Sequence, residues 1–387
     1  MTVATVASDP TAGESRVGQV LELVRARSAG AEAEVTARSG VSALTRFATG
    51  FIHQNVAEEL SHLLLRVAVD GHVASVTLDG PADREHLERL VANAFEAALA
   101  SPVDPDWPGL TRPTRGVDVD HFDEATAEAA PADRAARVRA FVDAGDGLET
   151  AGYCSTLGVA VTFANSAGQT LSGRGTAAII DGIARTPTAD GSGRDGSARI
   201  GDLDGRVAGE RAARKARDAS EPTDLEPGRY EVVLEPDCVA NILSFLLVHG
   251  FNGKAVEEGR SFAEVGGRQF DPAISLRDDV TDPNTTGIGF DIEGTPKRPF
   301  DLVREGVTRG LLQTRRTARA IVLGWSFQRA LFANLDQIRN RHRRHDHSAI
   351  GNGHAQDKDS VARALSESLA LVDAVDEDPS HYHHHCH

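Results

Sequence analysis

Cysteine, methionine and the larger aromatics are scarce in this 387-residue chain, which has three Cys, one Met, two Trp and three Tyr. Cys154, Cys238 and Cys386 are too few for a disulfide framework and suit a reducing, cytoplasmic setting. No run of eighteen apolar residues occurs, so no membrane-spanning helix is expected. The opening MTVATVASDP has neither the basic nor the apolar region of a secretory signal. Positive charge is also in deficit. The 41 Lys and Arg against 57 Asp and Glu leave a net charge of -16, which argues against a nucleic-acid partner, since neutralising phosphates takes a basic surface. What remains is a globular composition, 40% apolar and 25% charged with a mean hydropathy of -0.28, long enough for more than one domain.

Apolar spacing predicts an α+β fold. A helix is expected over 15–29, where Val17, Val20, Leu21 and Val24 share a face. Strands are expected from Ala31 to Ala37 and over 43–48. LLLRVAV and HVASVTL flank Asp70-Gly71, a strong hairpin signal, because both central positions of a type I′ turn need positive φ. Pro81 opens a helix, and a second follows at about 131–143 behind the proline-rich stretch 101–120. From Leu148 the pattern turns strand-rich: LETAGYCS, GVAVTFAN and TAAIIDGIAR, with Asn165–Gly168 as a turn. Residues 187–202 read as a loop and 206–218 as a helix. RYEVVLEP then reads as a strand, CVANILSFLLVHG as an apolar helix, AISLRDD as a strand, and a hairpin turns at Glu305-Gly306. The expected organisation is 1–121, an N-terminal α+β domain with an antiparallel sheet; 122–221, a strand-rich centre; 222–320, a β-rich, barrel-like C-terminal domain; and 321–387, an atypical tail.

The segment from Cys238 to Phe262 could carry chemistry. An apolar helix there delivers His249 into a Gly-rich loop. A zinc peptidase needs several ligands and a carboxylate to take a proton from bound water. His249 offers one ligand, and Glu257 and Glu258 read as solvated or ion-paired. His53, Gln54 and Asn55 could bind peptide, or could form a strand-end turn that hydrogen-bonds the backbone. Asp291, Glu293 and Thr295 could orient a substrate, or could form a turn closed by Gly294 and Pro296. Cys154 and Cys238 read as small buried apolar residues. No nucleophile elbow is present, so no catalytic residue is assigned.

Four blocks in order resemble the TldD/PmbA family of modulators and peptidases. They are Ala43–Phe47 with Ile52–Asn55, Phe163–Gly168, Gly253–Phe262, and Gly289–Pro296 with the Asp301–Gly306 hairpin. The catalytic branch of that family carries H-E-x-x-x-H at the end of the corresponding helix. Laid on this chain, the motif puts its first histidine at His249, its glutamate at Gly250 and its second histidine at Lys254. The Gly253–Phe262 form instead resembles the PmbA/TldE branch, whose subunit lacks the metal motif. The resemblance therefore implies a component of a metallopeptidase complex acting in proteolysis or peptide processing. It implies no cofactor in this chain, zinc in a TldD-like H-E-x-x-x-H partner, a heterodimer or homodimer, and extended peptide substrates held in part by His53, Gln54, Asn55, Arg260 and Ser261. A self-sufficient metal-dependent hydrolase with an unrecognised site is the alternative.

The tail differs in kind. Residues 321–387 hold nine of the fifteen histidines, including His342, His345, His347, His383 and His385. Three readings stand: a metal-binding tail, an inert solvated tail, and a shifted reading frame after about Ala320 that replaces the family's further strands.

Overall fold

A computed structural model describes residues 10–319. Its centre is a six-stranded, wholly antiparallel sheet in the order β3-β2-β1-β4-β5-β6. Helix α1 (Pro10–Arg27) leads into β1 (Glu32–Ala48), β2 (Phe51–Val69) and β3 (His72–Asp79), and α2 (Arg84–Ala100) follows. A one-turn α3 (Glu124–Ala127) and α4 (Pro131–Ala144) precede β4 (Glu149–Asn165), β5 (Thr170–Arg185), β6 (Asp190–Ser197) and α5 (Gly205–Asp218). One sheet thus runs through both 1–121 and 122–221.

Helices α1, α2, α4 and α5 lie on one face of the sheet, because the strands alternate. On β1, Ala33, Val35 and Ala37 point to α1 and α2, where Val17, Val20, Val24, Leu87, Leu90 and Val91 are buried against them. Further along the same face, Phe47, Cys154, Ile180 and Ala184 pack with Val138 and Phe141 of α4 and with the alanines of α5. The predicted Asp70-Gly71 hairpin is present, with positive φ at both residues. Asp83 caps α2 by accepting from the His86 N–H, and Pro131 stands at the start of α4.

Two expectations change. The two strands expected between Ala31 and Ala48 are one 17-residue strand. The expected 187–202 loop contains β6, whose DGSGRDGS sequence carries no strand signal. Gly191 and Gly193 are there because α5 lies directly on the strand: a Cβ at either would fall about 2 Å from the Ala212 or Ala208 carbonyl oxygen.

The opposite face of the sheet is covered by the C-terminal region. Ile288 and Phe290 pack on Val161, Phe163 and Leu171 of β4 and β5. Beyond lie α6 (Pro236–Phe245), a π-helical turn (Leu246–Gly250), α7 (Gly253–Glu257) and a small sheet of β7 (Leu276–Asp278), β8 (Phe300–Arg304) and β9 (Val307–Thr308). Phe251, Ala263, Leu302 and Val303 form its core, with Phe262 and Phe270 against Phe251.

RYEVVLEP is not a strand. An apolar strand needs a ladder partner, and among the described residues none reaches it. Its side chains are bare: Val233 is 98% exposed, and Tyr230, Val232 and Leu234 are exposed too. Helix α6, apolar as expected, buries none of its residues. Cys238, expected inside, is exposed, whereas Cys154 is buried as expected. No helix among the described residues is long and apolar enough to cross a membrane.

Candidate functional site

Two of the four sequence blocks meet on the sheet face opposite the helices. Glu34 on β1 stands between Arg66 on β2 and Asn165 on β4. Arg66 Nη1 donates to Glu34 at 2.6 Å and to Glu293 at 3.4 Å. Both carboxylates are buried. Burial pushes the Glu34 carboxyl up to about 7, with Arg66 opposing that rise and Glu293 adding to it.

The 291–295 segment forms the turn that residue types allowed. Asp291 Oδ1 accepts from the N–H groups of Glu293 and Thr295, and the Asp291 N–H donates to the Thr295 carbonyl. Gly294 has φ +69°, and a Cβ there would lie 2.1 Å from the Phe163 ring. The family-like Phe163 and Gly294 are thus one packing contact. Thr111 donates to the Glu293 carbonyl, Gln169 to the Gly294 carbonyl and Asn165 to the Thr111 carbonyl. These bonds bind the 108–114 connection, the Asn165–Gly168 turn and the 291–295 turn into one polar layer. Glu293 Oε2 also accepts from the Arg315 N–H, and the Arg315 guanidinium donates to the carbonyls of Gly109 and Leu110. A cleft of about 540 Å³ opens beside this layer.

The first block lands elsewhere. The Thr45 hydroxyl donates to Asn55 Oδ1 and accepts from Arg134 Nε. Arg134 is 2% exposed, with further bonds to the Ala129 carbonyl and the Thr156 hydroxyl and, among the described residues, no carboxylate partner. Burial lowers its affinity for its proton. His53, Gln54 and Asn55 are not a strand-end turn. They lie within β2, and the register steps from Arg46↔Gln54 to Phe47↔Ile52, leaving His53 as the extra, exposed residue of a bulge. Gln54 accepts from Arg46.

Arg260 and Ser261 sit in the C-terminal layer. Arg260 is exposed and pairs with Glu258, and the Ser261 hydroxyl donates to the Gly250 carbonyl at 2.5 Å. No hydrogen bond or ion pair among the described residues joins them to His53–Asn55. Glu257 approaches Arg316 at 3.9 Å, and Lys254 pairs with Glu258.

His249 is the penultimate residue of the π-helical turn, exposed, with its ring stacked on Phe245. The next positions of a zinc motif are Gly250, which has no side chain, and Lys254, an ammonium 4.0 Å from Glu258. This donor set does not fit zinc, which takes neutral imidazole, thiolate or carboxylate ligands. Among the described residues no three His, Cys, Asp or Glu are grouped to hold a metal ion. His342, His345, His347, His383 and His385 lie outside the described residues.

The pattern overlooked Glu34, Arg66, Arg134 and Arg315. A signal existed for Arg66: a single charge inside the apolar run LLLRVAV must find a partner or water.

Residues 227–324 match the sequence model described as the PmbA/TldA metallopeptidase C-terminal domain. No curated protein matches the chain. Among solved structures, TldE from Thermococcus kodakarensis is similar with a TM-score of 0.67 and 17% identity, over 80% of this chain and 71% of that one. A candidate modulator of DNA gyrase from Bacteroides thetaiotaomicron gives 0.71 and 16%, over 80% and 73%. A counterpart from Thermotoga maritima gives 0.66 and 17%, over 79% and 72%. The C-terminal region thus matches the PmbA/TldA metallopeptidase C-terminal domain in sequence, and the described chain shares its fold with these three structures.

Proposed function

We propose that this protein is the subunit of a TldD/PmbA-type metallopeptidase complex that does not carry the metal. One observation carries the reading: where the catalytic motif, laid on this chain, would place its glutamate and second histidine, this chain has Gly250, the last residue of the π-helical turn, and Lys254, in α7. A lysine ammonium repels a cation, and glycine cannot take a proton from water. The subunit's work is to complete the peptidase chamber and to hold extended peptide. The outer edge of β2 before His62 suits that task, since β3 pairs with β2 only from His62 onward. An unpaired strand edge can bond an unfolded peptide through its backbone. The zinc and the general base belong to an H-E-x-x-x-H partner, and the cytoplasm is the proposed setting.

The test is affinity capture of the tagged chain from its own cell. Recovery of an H-E-x-x-x-H protein in near-equal amount supports the reading. Capture of the chain alone, at a concentration where it is folded, removes it.

A further inference from the structure

The cleft beside the Arg66–Glu293 layer has features that the partner-subunit reading does not use. Two guanidinium groups line it, Arg112 and Arg315. The carbonyls of Gly109 and Leu110 hold Arg315 in a fixed plane. Arg112 is exposed and has no acidic partner among the described residues. Glu32 lines the same cleft. Its Oε2 accepts from the Trp107 indole N–H at 2.6 Å, and no bond among the described residues holds its Oε1. Thr295 lines the cleft as well.

We propose that this cleft binds a small zwitterion, a free amino acid or dipeptide. Its carboxylate meets Arg112 and Arg315, and its ammonium meets Glu32. The side chain rests on Leu110, which shares the lining. Both charges are needed to explain the lining. An inorganic anion or a nucleotide phosphate would satisfy the guanidinium groups but would set a negative group against Glu32. A simple cation would face two guanidinium groups. The volume falls in the range of small-ligand pockets. The proposal does not depend on a partner subunit, because the cleft belongs to this chain alone.

Calorimetric titration of the full chain with Ala-Ala tests it, alongside N-acetyl-Ala-Ala and Ala-Ala amide. Ala-Ala is expected to bind at one site, and blocking either end should weaken binding about tenfold or more, the size of one lost charge-assisted contact. Glu32→Gln should erase the preference over the N-acetyl form. Arg112→Gln, at an exposed position that does not threaten folding, should reduce the preference over the amide. No saturable binding of Ala-Ala overturns the proposal. So does equal binding of all three probes. Loss with the amide but not with the N-acetyl form would make the cleft an anion site and overturn the zwitterion.

Discussion

Arg66 holds two buried glutamates from opposite ends of the chain, Glu34 at 2.6 Å and Glu293 at 3.4 Å. It thereby fastens the C-terminal turn to the second and first strands of the main sheet. Folding raises the Glu34 carboxyl from 4.5 to about 7, so the folded chain keeps a proton there that the unfolded chain has released. The stability from that proton is full below about pH 4.5 and is lost as pH rises through about 7. Its size is on the order of 3 kcal/mol. Melting curves of wild type and Glu34→Gln should therefore diverge with pH, the Gln variant gaining on wild type between pH 5 and 8. Parallel curves would show that Glu34 does not titrate in this way.

Gly294 and Phe163 make the second prediction. Gly294→Ala puts a methyl into the Phe163 ring and also places a side chain at positive φ. Overpacking of this kind costs about 1–3 kcal/mol. The melting temperature should fall, and trimming the ring in a Gly294→Ala/Phe163→Leu double variant should recover part of the loss. If the double variant simply sums the two single losses, the contact is not what constrains Gly294.

Much of this was legible beforehand, and the exceptions share a cause. Helix α1 announced itself through apolar spacing, α2 and α4 through prolines near their starts, α5 through an Ala/Arg-rich composition, and β2–β3 through Asp70-Gly71. The family-like blocks named the residues that turned out to be Phe163, Asn165, Asp291 and Gly294. Missed features depend on what lies across from a residue, which no local pattern records. β6 is a strand because α5 needs its glycines, and Glu34 and Arg66 are a site because the sheet register sets them side by side. RYEVVLEP erred the other way, with a strand pattern and no strand beside it.

Arg134 is a buried guanidinium with no carboxylate partner among the described residues. Arg134→Ala leaves the Ala129 carbonyl and the Thr156 hydroxyl without their donor and opens a cavity, at a cost of about 3–5 kcal/mol. Arg134→Met keeps most of the volume and removes the desolvated charge, so it should cost clearly less. Urea midpoints rank the two, and an Arg134→Ala midpoint equal to wild type would refute the structural role.

The bare surface from Leu225 to Ile242 predicts self-association. Val232, Val233, Leu234, Val239 and Ile242 are all exposed, and contiguous apolar surface of this kind binds hydrophobic dyes and other chains. The double variant Val232→Lys/Val233→Asp should reduce dye binding and aggregation without lowering the melting temperature, since neither side chain is buried. A wild-type chain that stays monodisperse at high concentration and leaves the dye dark would contradict this. The tail's histidines are tested separately: if residues 341–387 bind metal, their deletion abolishes metal uptake by the chain.

The central claim is that the chemistry belongs to a partner and the chamber to both. Reconstitution tests it most directly. An unfolded peptide is offered to this chain alone, to an H-E-x-x-x-H subunit from the same cell alone, and to the two mixed, each with zinc. The account predicts cleavage by the mixture, little or none by the H-E-x-x-x-H subunit alone, and none by this chain, with the mixture's activity lost when the partner's glutamate is replaced. Zinc-dependent cleavage by this chain alone, abolished by His249→Ala, would contradict it.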